Sequence, residues 1–134
     1  MTAGRSPGAR AFLVFSVLVW LPYGIYCFLV PGGLADYAGV VGETATGSTE
    51  LRAMYGGLEA AIGVFALAAL LRPALTSPFV LASAFLCSGL LLARLSGVAL
   101  DGGVSGYTAG AVLFELVAST WAITLARAAP SPSP

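Results

Sequence analysis

The chain has 134 residues, of which 58% are hydrophobic and only 9% charged, with a mean hydropathy of +0.93. Soluble domains carry about 25% charged residues, so a water-facing globule of this composition is excluded and lipid must solvate most of the chain. Six arginines balance six acids, with no lysine or histidine. That leaves no basic surface for nucleic acid and removes the commonest ligand of haem and transition metals, so no metal or cofactor is expected.

Residues 1–10, with Arg5 and Arg10, make a short polar segment before the first apolar run, Ala11–Val30, which carries no charge. This run is longer than the 7–15 residues of a signal-peptide core. Pro31-Gly32-Gly33 after it lacks a small-x-small cleavage pattern, so it is expected to remain as a span. Residues 31–50, rich in Gly, Thr and acid, are expected as the longest loop. A second run, Leu51–Leu71, contains Arg52 and Glu59. Pro73 and Pro78 make 72–78 a short turn. A third run, about 79–100, contains Arg94, and Asp101-Gly102-Gly103 begins a tight turn. The fourth, about 107–126, contains Glu115, and 127–134 is expected to be a disordered tail ending in Pro-Ser-Pro-Ser-Pro.

Each run can cross a hydrocarbon core of about 30 Å. Backbone groups in lipid must be satisfied within the segment, and no run alternates in polarity, so helices are predicted and a β-barrel is not. The expected fold is an all-α integral membrane four-helix bundle. Arg5, Arg10, Arg72 and Arg127 fall on one side, whereas Asp36, Glu43, Glu50 and Asp101 fall on the other, with Arg52 at its margin. The positive-inside rule then puts both termini in the cytoplasm.

Ionisable residues inside a span are costly and mark pairing or functional sites. Counted from the outer boundary at 1.5 Å per residue, Glu59 lies about 12 Å deep, Arg94 about 9 Å and Glu115 about 15 Å. Side chains lean toward the N-terminus of their own helix. Glu59 and Glu115 therefore lean outward and Arg94 inward, and the three are expected to converge at one level. Arg52 either snorkels to the headgroups or folds in as a second cation; otherwise one carboxylate carries a proton. Asp101 and Tyr55 are expected at the edge of the cluster. Two readings stay open: a dry staple between helices, or a site for a ligand or protons.

Close helix approach in lipid depends on small residues. Gly56, Gly57 and Gly63 mark the second span, and Gly106 and Gly110, one turn apart, mark the entry to the fourth; homo-oligomerisation through the latter pair is open. Cys27 and Cys87 read as small buried hydrophobes whose depths differ by about 15 Å, too far for a disulfide. No phosphate loop, Cys-x-x-Cys or His-containing triad occurs. Ser88, Thr108 and Ser119 are expected to bond back to their own helices.

The run Glu50-Leu51-Arg52-Ala53-Met54-Tyr55-Gly56-Gly57 resembles the signature of a bacterial membrane family known as domain of unknown function 4345. The likeness continues through Arg94, Asp101-Gly102 and Glu115, and reaches about Ala126. It implies a small four-helix protein of the bacterial inner membrane and carries no activity; a looser similarity to DoxX-type proteins implies the same architecture. The expectation is a non-enzymatic protein surrounded by membrane lipids that binds a small ligand or another membrane protein. The alternatives are an oligomeric proton-coupled transporter using Glu59 and Glu115, and a lipid-modifying enzyme.

Overall fold

The computed structural model describes residues 6–128, and every regular element among them is helical. The order is α1 (Pro7–Leu29), α2 (Gly33–Ala38), α3 (Ala45–Leu51), a π segment (Arg52–Leu58), α4 (Glu59–Leu71), a 3₁₀ turn (Pro73–Leu75), α5 (Thr76–Asp101) and α6 (Gly106–Ala128). Four stretches are long and apolar enough to cross a membrane: Pro7–Leu29, Ala45–Leu71, Pro73–Asp101 and Gly106–Ala128. The chain divides into two compact units. One is Leu13–Pro73; the other joins the start of α1, up to Phe12, to Ala74 and beyond.

Local chemistry sets the helix ends, and several differ from the sequence expectation. Ser6 caps α1, its Oγ accepting from the Ala9 amide at 3.2 Å with Pro7 in the first turn, where its missing N–H costs nothing. Helix therefore begins within the segment expected to precede the span. Thr44 caps α3 by accepting from the Gly47 amide at 3.0 Å, so the second stretch starts at Ala45 rather than Leu51. Pro78, read as part of a turn, instead lies in the first turn of α5. Gly102 ends α5 in the left-handed conformation (φ 71°), donating to the Val98 carbonyl. Ser105 then caps α6 through the Thr108 amide at 3.1 Å. Arg127 and Ala128, assigned to the tail, close α6 as helix, and residues 129–134 lie outside the described residues.

The expected loop 31–50 contains two short helices. In α2, Leu34 is fully buried against Cys27 and Leu51, with Tyr23, Tyr37 and Tyr55 packed around them. Gly39, at φ 70°, ends α2, and the Val40 amide returns to the Leu34 carbonyl at 3.3 Å. Six residues are too few to show a helical period, so this fold-back was invisible to hydropathy. The Tyr37 hydroxyl lies 3.7 Å from the Cys27 thiol. Loss of hydration, with that thiol contact, pushes the Tyr37 pKa up to about 12.

Within the Leu13–Pro73 unit, α1 packs on the second stretch along a glycine seam. A Cβ added to Gly56 would fall 2.8 Å from Cα of Phe28, and one on Gly63 would fall 2.6 Å from the Leu21 amide nitrogen. Gly24 faces the Ala60 backbone just as closely. Such backbone-to-backbone approach is what holds helices together where lipid removes the hydrophobic drive. Gly57 is exposed and faces only its own helix, so it lies off the seam. At Gly106 and Gly110 an added Cβ would meet nothing within 4 Å among the described residues, so no close helix approach is built on them there. In the other unit, α5 and α6 form a hairpin. Phe12 wedges into it, its ring 6.1 Å from Phe79 and 5.3 Å from Trp121.

Gly56→Ala and Gly63→Ala should each destabilise the protein by about 1–3 kcal/mol through overpacking. Gly106→Ala and Gly110→Ala should be neutral or up to about 1 kcal/mol stabilising, from helix propensity. Thermal unfolding in detergent separates the two classes. Because the Tyr37 pKa is raised in the folded state, the phenol holds its proton there after an unfolded chain has lost it. The stability this provides is complete below about pH 10 and disappears as pH rises toward about 12. Ultraviolet titration of phenolate absorbance should lose a component near pH 12 in Tyr37→Phe.

Candidate functional site

Arg94 sits on α5, seven residues before its end, and Glu115 on α6, nine residues after its start. The two helices run antiparallel from the 102–105 turn, so counting residues alone separates the Cα levels by about 3 Å. Side-chain lean closes that gap, because each side chain points toward the start of its own helix. The guanidinium meets the carboxylate side-on. Nε donates to Oε1 and Oε2 at 3.0 and 3.1 Å, and Nη2 donates to Oε1 at 2.8 Å. The Glu115 side chain is 3% exposed and that of Arg94 27%. Desolvating a carboxylate this thoroughly is tolerable only when a fixed cation and several charge-assisted hydrogen bonds replace its water. Arginine supplies both from one planar group.

Tyr107, in the first turn of α6, completes the arrangement. Its ring centroid lies 5.8 Å from the Arg94 guanidinium carbon, within the range of cation–π attraction. Sequence reasoning did not select Tyr107, because an aromatic at a helix entry looks like any interfacial residue. Asp101, expected at the cluster's edge, is exposed at the last position of α5 and makes no hydrogen bond or ion pair among the described residues. It lies two turns beyond Arg94, about 10 Å along the helix, too far to join the pair. Thr108 bonds the Ser105 hydroxyl at 3.0 Å rather than its own helix, whereas Ser119 bonds back to the Leu116 carbonyl at 3.2 Å.

The remaining candidates belong to the Leu13–Pro73 unit. Arg52 opens the π segment, and its Nη1 donates to the Phe28 carbonyl at 3.1 Å. That carbonyl is among the last four of α1, which lack partners in their own helix, and a cation there also complements the helix dipole. Arg52 thus acts as a C-terminal cap for α1, a role neither sequence option anticipated. Tyr55, on the same π segment, is partly buried and packs on the Cys27–Leu34–Leu51 core. Glu59 is the first residue of α4 and half-buried. The π segment covers Arg52–Leu58, so the distinctive Arg-Ala-x-Tyr-Gly-Gly run coincides with the irregular helix. Gly56 explains part of this: it lets the chain lie against Phe28, and the wider turn aims Arg52 at the end of α1. Cys27 and Cys87 are both buried free thiols. Among the described residues no group of three or more His, Cys, Asp or Glu side chains could hold a metal ion.

No curated protein and no solved structure matches the chain. A family model described as "Domain of unknown function (DUF4345)" matches residues 8–126, a stretch that includes Arg52, the glycine seam, Arg94, Tyr107 and Glu115. With nearly all of the described helical chain inside that match, the protein belongs to the family of this domain of unknown function.

Proposed function

We propose that this protein is a non-enzymatic, multi-pass protein of the bacterial inner membrane with both termini in the cytoplasm, and that its α5–α6 hairpin presents Arg94 in the outer half of the bilayer to a small ligand or a partner membrane protein. The division of arginines from acids between the two sides supports the orientation. The observation that carries the binding role is the asymmetry of the ion pair. Glu115 is enclosed, while about a quarter of the Arg94 side chain (27%) stays accessible next to Tyr107. An enclosed carboxylate fixes the guanidinium, and a fixed, partly accessible arginine side chain suits a carboxylate, phosphate or carbonyl acceptor. Residue counting places Glu59 at a similar membrane depth, and Glu59→Gln tests its part.

Removing one partner of such a pair strands the other charge. Arg94→Gln and Glu115→Gln should each cost about 3 kcal/mol, the low end for buried pairs because Arg94 is partly exposed. The exchanged double variant, Arg94→Glu with Glu115→Arg, should recover stability in detergent unfolding but not the phenotype of a deletion strain. Recovery of both would reduce the pair to a clamp and overturn the binding role. Proteoliposomes carrying the protein should leave an imposed pH gradient intact, since in the hairpin the enclosed carboxylate is committed to Arg94. Dissipation lost in Glu115→Gln would favour proton transport instead.

A further inference from the structure

The opposite end of the α5–α6 hairpin carries a feature the ion pair does not use. A groove of about 390 Å³ runs between the two helices, within the size range of small-molecule sites. On the α5 side it is lined by Leu81, Ala84, Phe85 and Ser88, one stripe spanning two turns. On the α6 side Ala126 keeps it open, and Arg127 closes its end. The two alanines make the channel: a larger side chain at either would fill the space between the helices. The wall is almost wholly apolar up to the guanidinium, and Arg127 lies in the last turn of α6, exposed.

Among this unit's described residues the charge at this end is one-sided. Gly8, in the first turn of α1, lies against Leu125 of α6, which brings exposed Arg10 to the same end of the unit. The acids in this unit are Asp101 and Glu115. Asp101 follows Leu81 by twenty residues, about 30 Å along α5, and Glu115 precedes Arg127 by twelve, about 18 Å along α6. Glu115 is also engaged by Arg94. Neither acid therefore neutralises Arg127 or Arg10. An apolar channel leading to a cation that no acid of this unit pairs with among the described residues matches the shape of one amphiphile, an acyl chain ending in a phosphate, and basic pockets between membrane helices recognise such headgroups.

We propose that this groove is a binding site for an anionic phospholipid, with an acyl chain lying along Ala84, Phe85 and Ala126 and the headgroup phosphate on Arg127, assisted by Arg10. The site rests on the membrane reading above but not on the binding role of Arg94, and its test is independent of orientation.

The test uses purified full-length protein in detergent, with thermal unfolding and native mass spectrometry after adding phosphatidylglycerol, phosphatidylcholine of the same chains, or inorganic phosphate. Phosphatidylglycerol is expected to raise the Tm by several degrees and to remain bound. Phosphatidylcholine should do so at least fivefold more weakly, and phosphate not at all. Arg127→Gln should remove the preference between the two lipids while lowering basal Tm only slightly, since it gives up no more than an exposed cation in the last turn of α6. Arg72→Gln, outside this unit, should preserve the preference. Ala126→Leu should weaken retention of both lipids, and Ala84→Leu provides the same test from the other wall should Ala126→Leu fail to fold. Equal retention of both lipids by the wild type would overturn the proposal. So would an undiminished preference in Arg127→Gln, or a Tm shift from phosphate alone equal to that from lipid.

Discussion

A carboxylate placed among apolar helices must find a cation or lose its charge, and in this protein that constraint organises the α5–α6 hairpin. Glu115 is nearly as buried as the phenylalanines of the core, yet it retains three hydrogen bonds, all from the guanidinium of Arg94. The geometry needs the two helices to hold one register, because a slip of a residue would turn Glu115 by about 100° around α6. The tight connection supplies that register: Gly102 terminates one helix and Ser105 starts the next. Turn and ion pair thus specify the same alignment from opposite ends of a short lever, and the Phe12 wedge between Phe79 and Trp121 holds the far end.

The Leu13–Pro73 unit solves a different problem with different chemistry. Its helices meet through backbone rather than charge, at Gly24, Gly56 and Gly63. Arginine plays a part here too, but Arg52 serves a helix terminus instead of a carboxylate. The π segment links the two devices, since one irregular turn both presents Gly56 to Phe28 and turns Arg52 toward the end of α1. Irregular turns of this kind recur at functional positions. In this chain the most distinctive sequence run has a structural account in helix packing and capping.

The two arginines of the hairpin divide the labour by burial. Arg94 is held by Glu115 and Tyr107, so its orientation is fixed within the hairpin. Arg127 lies exposed at a helix end, with the two acids of its unit about 18 Å or more away along the helices. The first arrangement suits specificity and the second suits anchoring.

Much of this was legible in the residues themselves. Continuous apolar runs without alternation demand helices, because in lipid only a helix satisfies its own backbone, and Arg94 and Glu115 stood out because charge in such a run needs a reason. Gly56 and Gly63 were visible as places where a backbone could approach. Tertiary structure decided the rest. Only packing showed that Gly24 faces Ala60 while Gly106 and Gly110 face open space, because sequence spacing cannot say which side of a helix finds a neighbour. The fold-back of α2 depended on Leu34 reaching Cys27 and Leu51, contacts too distant in sequence and too few in residues to leave a period. Arg52 could be read as a cation near an interface, but its partner is a carbonyl, and the composition of a chain carries no trace of which backbone group a helix end leaves open.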